Sequence, residues 1–384
     1  MFELPWESKT VEKLREEFVN AAEGCSNFSS LCREFGITRK TGYKWMERNR
    51  QNKELKDLSR RPKTQPTKTS NEIESLILLM REENPGWGAK TIRKVLENEG
   101  VVGLPCIRTV NNILNRNGCI LKEESVKRHK YIRYQKDYCN EMWQVDFKGD
   151  FKMGDGNRCF PLDIIDDYSR YLIKITPYLG TKNVVIPTFE AAFYEYGLPM
   201  SVLSDNGEQF SGLRMGYTQF EKWLMCFDVL PIHGRIKHPQ TQGKIERFHR
   251  TLKNELLNHN SFCDITDANN QLQAWRNKYN NTRPHEALDM LTPSDVYIRS
   301  NREYTGKLFP YEYGGEFPVL KVNSNGYVSI ERKRMYFSET FAGEYIEFRP
   351  NPLGESFFAC FRNFQIAEFD SISGNRINRS IFRL

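Results

Sequence analysis

The stretch from Glu141 to about Lys253 switches between two hydrophobic periods, and the order of those switches constrains the fold more than any other feature of the chain. Glu141-Met142-Trp143-Gln144-Val145-Asp146-Phe147-Lys148 alternates. Trp143, Val145 and Phe147 share one face, and Gln144, Asp146 and Lys148 the other, which is the two-residue period of a strand. Residues 158–164 and 168–177 read as two more strands, joined by a turn at Asp166-Asp167. Residues 182–196 have helical spacing, with Val185, Phe189, Ala192 and Phe193 inward. A short strand at 200–204 runs into Asp205-Asn206-Gly207, then come a helix over about 217–227 and a strand at 229–232. The order βββαβαβ, closed by a long helix, describes a mixed sheet flanked by helices. The closing helix follows His238-Pro239-Gln240-Thr241-Gln242-Gly243, and Ile245, Phe248, Leu252 and Leu256 form its buried stripe. Glu246, Arg250 and Lys253 stand at i, i+4 and i+7, bordering that stripe, where a carboxylate can reach a cleft beside the sheet.

The net charge of +7 is unevenly spread. Residues 1–140 carry 27 Lys and Arg against 19 Asp and Glu, whereas residues 141–300 carry 18 against 20. A basic front on a near-neutral body is the layout of a polyanion-binding module joined to something else. The front itself reads as two helical units. In residues 1–56, Val11, Leu14, Phe18 and Ala21 or Ala22 mark a first amphipathic helix. Asn27 or Ser29 caps a second, Gly36 supplies a left-handed turn, and Thr38 caps a third. Leu31, Phe35, Ile37, Tyr43 or Trp45, and Met46 make the small core, leaving Arg39, Lys40, Lys44 and Arg48 outside. This is a helix-turn-helix pattern, whose last helix enters the major groove. Its candidate DNA contacts are Arg39, Lys40, Tyr43 and Lys44.

Residues 57–70 are rich in proline and threonine and form a basic linker, in which Arg60 and Arg61 suit phosphate tracking. A second helix-turn-helix-like unit spans 71–118. Ile73, Leu76, Ile77 and Met80, then Ile92, Val95 and Leu96, then Val110, Ile113 and Leu114 face inward, and Arg108, Asn111, Asn112 and Arg116 face outward. Arg108 and Asn112 are its candidate DNA contacts, and two such readers on one chain would bind a bipartite site. Residues 119–140 form a charged linker to the core at 141–300. Beyond it, five short strand patterns at 317–322, 327–330, 333–337, 345–349 and 357–362 make residues 316–384 a small barrel of SH3-like type. The last stretch, from Ser371, holds three arginines and reads as a mobile tail.

Some classes are disfavoured. No apolar run approaches the ~20 residues of a membrane span, the best being interrupted at Glu74. The first residues lack the basic-then-apolar layout of a signal peptide. The nine cysteines include no Cys-x-x-Cys pair, so buried reduced thiols are expected rather than a disulfide framework or a zinc knuckle. These features lead us to expect a soluble intracellular protein.

Three segments carry a resemblance. Trp143-Gln144-Val145-Asp146-Phe147, Ser204-Asp205-Asn206-Gly207 and Gln242-Gly243-Lys244-Ile245-Glu246-Arg247 are similar to the three signatures of the DDE transposase and retroviral-integrase catalytic core. Leu31-Cys32-Arg33-Glu34-Phe35-Gly36-Ile37, Trp87-Gly88-Ala89 and Tyr279-Asn280-Asn281-Thr282-Arg283-Pro284-His285 resemble bacterial insertion-sequence transposases, with the insertion sequence 481 family the nearest match. The resemblance implies a multidomain α+β chain: helix-turn-helix domains, an RNase H-like α/β core and a C-terminal barrel similar to that of integrases. It implies that Asp146, Asp205 and Glu246 are catalytic and hold Mg²⁺ or Mn²⁺, two ions per site. It implies double-stranded DNA as the partner, at terminal inverted repeats and target, a homo-oligomer on that DNA, and no nucleotide cofactor. His238, Gln242, Arg250 and Lys253 become candidate DNA contacts, whereas His249 reads as a packing residue. The forty residues between Asp205 and Glu246 exceed the spacing usual in integrases, and the integrase zinc domain is absent. The alternatives are a domesticated DNA-binding regulator and a metal-dependent nuclease that cuts without joining.

Overall fold

The computed structural model describes residues 10–58, 68–120, 135–212, 216–234, 243–330 and 333–384. It resolves into two compact units, Met1–Lys68 and Thr69–Leu384.

The first unit holds helices α1 (Val11–Ala22), α2 (Phe28–Glu34) and α3 (Arg39–Arg50). Side chains cap all three. Thr10 accepts from the Lys13 amide at 3.4 Å, Asn27 from Ser30 at 3.1 Å, and Thr38 from Thr41 at 3.2 Å. Each such cap is worth about 1 kcal/mol. Gly36, at φ +64, makes the expected left-handed turn between α2 and α3. Gly42 lets the helices cross closely, since a Cβ there would meet Cys32 Sγ and Phe18 Cζ at 2.9 Å. The core is Phe18, Val19, Leu31, Cys32 and Trp45. Val11 and Leu14, expected inside, are exposed, and Val19 takes the inward position beside Phe18.

The second unit begins with α4 (Asn71–Glu83), α5 (Ala89–Asn98) and α6 (Ile107–Arg116) around Ile77, Trp87, Ile92, Val110 and Ile113. Then come strands β1 (Met142–Phe147), β2 (Phe151–Lys152), β3 (Arg158–Asp166) and β4 (Leu172–Tyr178), helix α7 (Val185–Tyr196), strand β5 (Ser201–Ser204), helix α8 (Gln219–Cys226), strand β6 (Leu230–His233), and helix α9 (Gly243–Leu252) with a π-helical extension at Lys253–Leu257. The strands lie in the order β4-β3-β1-β5-β6, with β2 pairing the start of β3. β3 runs antiparallel to both β4 and β1, and β1, β5 and β6 are parallel. This is the RNase H-like sheet. One face, with Trp143, Val145 and Ile164, packs on α7 and α8 through Phe189, Phe193, Phe220 and Leu224. The other, with Cys159, Ile165 and Ile175, packs on α9 and on α10 (Ile265–Asn281) through Ile245, Phe248, Leu272 and Trp275. Burying one such large apolar side chain is worth about 1.5–3 kcal/mol.

The core extends past both expected boundaries. Lys136 and Asn140, expected in a linker, donate backbone amides to Asp167 at 2.9 Å and to Asp166 at 2.7 Å. Arg302 and Tyr304, beyond residue 300, bind Pro199 O at 2.6 Å and join the α7–α8 core, respectively. A short helix, α11 (Pro293–Val296), precedes this segment. Among the described residues, the C-terminal region holds eight strands rather than five. β7 (Val319–Lys321), β10 (Tyr345–Pro350), β11 (Ser356–Phe361), β12 (Phe364–Asp370), β13 (Arg376–Asn378) and β14 (Phe382–Arg383) form one antiparallel sheet, and β8 (Tyr327–Ile330) pairs with β9 (Lys333–Tyr336). Tyr217 and Met225 enter its aromatic core, so the sheet packs on the α8 region. The stretch after Ser371 is anchored rather than loose: Arg376 reaches Tyr336 O at 3.0 Å, and Arg383 reaches Asp228 Oδ2 at 3.1 Å.

Candidate active site

The site grows from the register of two strands. β1 and β5 pair in parallel as Met142↔Ser201, Trp143↔Val202 and Gln144↔Leu203. Continued two residues, the same register sets Asp146 beside Asp205 at the C-terminal ends of neighbouring strands. Alternation turns Asp146 to the α9 face, away from the Trp143–Val145 core. Asp205 sits in a tight turn in which the Gly207 amide donates to Asp205 Oδ1 at 2.9 Å. A Cβ on Gly207 would meet that oxygen at 2.9 Å, so only glycine leaves the carboxylate its room. Asn206 ties the same turn to β6, donating to Gly234 O at 2.8 Å.

Opposite Asp146 in the β1–β3 ladder stands Asp163. His249 of α9 bridges the two: Nε2 lies 2.8 Å from Asp163 Oδ2, and Nδ1 lies 3.8 Å from Asp146 Oδ2. Burial pushes the Asp146 carboxyl up to about 6, and the Asp205 and Asp163 carboxylates add to the rise while His249 opposes it. Burial also raises Asp163, whose Oδ1 has no hydrogen-bond partner among the described residues. Crowded, poorly solvated carboxylates of this kind supply the hard oxygen donors that a divalent cation takes.

Glu246 is held differently. It is exposed in the first turn of α9, and that turn is fastened to β1. The Ile245 amide donates to Gln144 Oε1 at 3.2 Å, Gln144 Nε2 donates to Asp167 Oδ1 at 2.7 Å, and Lys244 pairs with Asp167. Among the described residues, no three carboxylates, imidazoles or thiols converge within ligating reach of one point. The structure therefore brings Asp146 and Asp205 together and sets Glu246 on a helix pinned to the Asp146 strand, without closing the three into one cluster. Arg250 and Lys253 are exposed further along, and no ion pair among the described residues occupies either. His238 and Gln242 lie outside the described residues, as do Arg60 and Arg61.

The other candidate contacts sit on the two reader helices. Arg39, Lys40, Tyr43 and Lys44 are exposed on α3. Tyr43 stacks on Phe28 at 4.4 Å, while Trp45 turns inward under the Arg15 guanidinium at 3.9 Å. Arg108 and Asn112 are exposed on α6, and Arg116 is engaged by Glu74. Sequence reasoning misses three supports of the site. It gives His249 only packing, Gln144 only a polar place on a strand, and Asp167 only a turn. The signal available is spacing, since His249 follows Glu246 by three positions and so shares its side of α9.

The integrase core domain family matches residues 138–239 and 228–293. A helix-turn-helix domain matches 14–63, and a homeodomain-like domain matches 41–114. An insertion element IS407 protein of Burkholderia multivorans is 28% identical over 41% of this chain, which spans about half, 54%, of that relative. The transposase for insertion sequence element IS904 of Lactococcus lactis is 24% identical over 62% of this chain and 98% of its own length. Among solved structures, the HTLV-2 integrase catalytic core domain in complex with magnesium overlaps 42% of this chain and 98% of its own, at 17% identity and a TM-score of 0.32. The chain thus carries helix-turn-helix domains ahead of an integrase core domain, and it is similar to proteins of bacterial insertion elements.

Proposed function

We propose that the protein binds the terminal inverted repeats of its element, frees a 3′-hydroxyl at each end by hydrolysis, and joins that hydroxyl to target DNA. The observation that carries the reading is the pairing of Asp146 and Asp205 at the ends of adjacent parallel strands, with Glu246 on a helix fastened to the first of them. Asp146, Asp205 and Glu246 would hold Mg²⁺ or Mn²⁺, two ions by the demands of in-line phosphoryl transfer. A metal held there would supply activation of the attacking oxygen and stabilisation of the leaving one. The protein's residues do the rest. Gly207 shapes the Asp205 turn, His249 and Asp163 orient the Asp146 carboxylate, and Gln144 and Asp167 fix the entry of α9.

DNA would be read by α3 through Arg39, Lys40, Tyr43 and Lys44, and by α6 through Arg108 and Asn112. Arg60, Arg61, Arg250 and Lys253 would track phosphates, with His238 and Gln242 at the end of the element. Two ends must be joined in concert, so a dimer or larger assembly on DNA is part of the proposal, as is action at the bacterial nucleoid. No helix of the described residues is long and apolar enough to cross a membrane. The test is a joining assay with purified protein, DNA carrying the repeats that flank its gene, a target plasmid and Mg²⁺ or Mn²⁺, run beside Asp205→Asn. Joined products from the wild type alone support the proposal. Cut ends that never join would make it a nuclease, and specific binding without cutting would make it a regulator.

A further inference from the structure

Glu221 of α8 is a carboxylate with no exposed surface. One of its oxygens closes a local capping box, in which Oε2 accepts from the Thr218 amide at 2.6 Å while Thr218 Oγ1 accepts from the Glu221 amide at 3.1 Å. The other oxygen faces away from that box. Oε1 receives His233 Nε2 at 2.7 Å and the guanidinium of Arg379. On the far side of the imidazole, His233 Nδ1 lies 3.1 Å from Ser204 Oγ, and Ser204 immediately precedes Asp205. The Ser204 hydroxyl also lies 3.1 Å from Asp205 O, and the Gly234 amide donates to Ser204 O at 3.0 Å. A continuous polar chain thus runs from Arg379 through Glu221 and His233 to the root of the Asp205 turn.

Arg379 comes from the far end of the molecule's sequence, between β13 and β14. Its guanidinium lies 4.6 Å from the Tyr217 ring centre, and Tyr217 is part of the C-terminal core. A capping box needs neither His233 nor Arg379. Burying a guanidinium and an imidazole against one carboxylate is costly unless every partner is in place, so the arrangement couples the groups it joins.

We propose that Arg379 is a positioning residue for the Asp205 turn, through which the seating of the C-terminal strands sets the geometry of the active site. The effect on turnover rests on Asp205 having the role proposed above; the coupling itself does not. Amide hydrogen exchange on the full chain, without DNA or metal, reads it directly. In Arg379→Ala, exchange at Gly207 and Gly234 should speed up about tenfold or more, while Gly154, whose amide binds Phe262 O on the other side of the sheet, stays unchanged. Arg379→Lys should restore most of the protection. Ser204→Ala cuts the same chain without touching the C-terminal domain, and adding Arg379→Ala to it should change Gly234 little further. Faster exchange confined to β12–β14, or spread evenly over the whole chain, would overturn the proposal. So would independent, additive effects of the two substitutions. In the joining assay, Arg379→Ala should lower the joining rate with affinity for end DNA unchanged. An exchange result as expected beside no joining by any variant would leave the coupling standing and defeat the transposase reading alone.

Discussion

Asp146 pays a stability cost for its position. Its carboxyl is held at about 6, well above the ordinary range, chiefly by burial and then by Asp205 and Asp163. A folded-state value above the unfolded one means that the folded chain keeps a proton which the unfolded chain releases. The ionised group therefore destabilises the fold, weakly near pH 4 and fully above pH 6. Asp146→Asn removes that cost, so in chelator at pH 7 the variant should be more stable than the wild type by about 2 kcal/mol. The gap should close as the pH falls to 4, and urea melts across that range measure it. A variant no more stable at pH 7 would mean that Asp146 is not strained by its neighbours. Asp146 itself is legible in the sequence, because alternation sets it on the polar face of a strand. The role of His249 is not. Its partner Asp163 lies 86 residues away and meets it only through the β1–β3 register, which no local period encodes.

At the scale of elements, the legible parts are those with strict periods. α4, α5 and α6 bury Ile77, Ile92, Val95, Leu96, Val110, Ile113 and Leu114, which spacing turns inward, and β1 sets Trp143 and Val145 on the face opposite Asp146. β12 escapes because its buried residues, Phe364, Ile366, Ala367 and Phe369, break the two-residue period at Ile366–Ala367, where the register with β11 shifts and leaves Ile366 as an extra residue. α10 begins at Ile265 because Asp264 caps it by accepting from the Thr266 and Asp267 amides at 2.8 Å. The choice between Tyr43 and Trp45 as core residue needs the position of α1, whose Arg15 covers the buried indole. α9 carries the prediction that belongs here. With Arg250 and Lys253 exposed and without an ion-pair partner among the described residues, a double change to alanine should weaken binding to element ends. The slope of log K against log salt should fall by about 2, close to one per lost phosphate contact. Titrations of end DNA at several salt concentrations decide it, and an unchanged slope would remove both residues from the DNA path.

For the whole molecule, sequence composition divides the chain into more pieces than contacts do. The second helical unit reads as a separate domain, yet it belongs to one compact body with the catalytic sheet and the C-terminal strands. The joints are particular. Lys278 of α10 lies 5.3 Å from the ring centre of Trp87, Lys90 pairs with Glu286 at 2.9 Å, and Gly86 leaves no room for a Cβ against Glu255, itself paired with Arg283 at 2.7 Å. At the other end, Arg379 and Arg383 reach Glu221 and Asp228 more than 150 residues upstream, so a spacing typical of a solvated basic tail conceals an anchor. It follows that residues 69–384 should fold without the first unit and melt in one transition at the temperature of the same body in the full chain. A shorter piece starting at residue 135 exposes the docking surface around Glu255 and Lys278, and should lose about 2–4 kcal/mol, as expected when a paired, partly buried carboxylate loses its cover. Calorimetry of the two pieces distinguishes the cases. Equal stability would mean that the helices of 71–118 are carried by the core rather than built into it, and would return the division to the one that composition first drew.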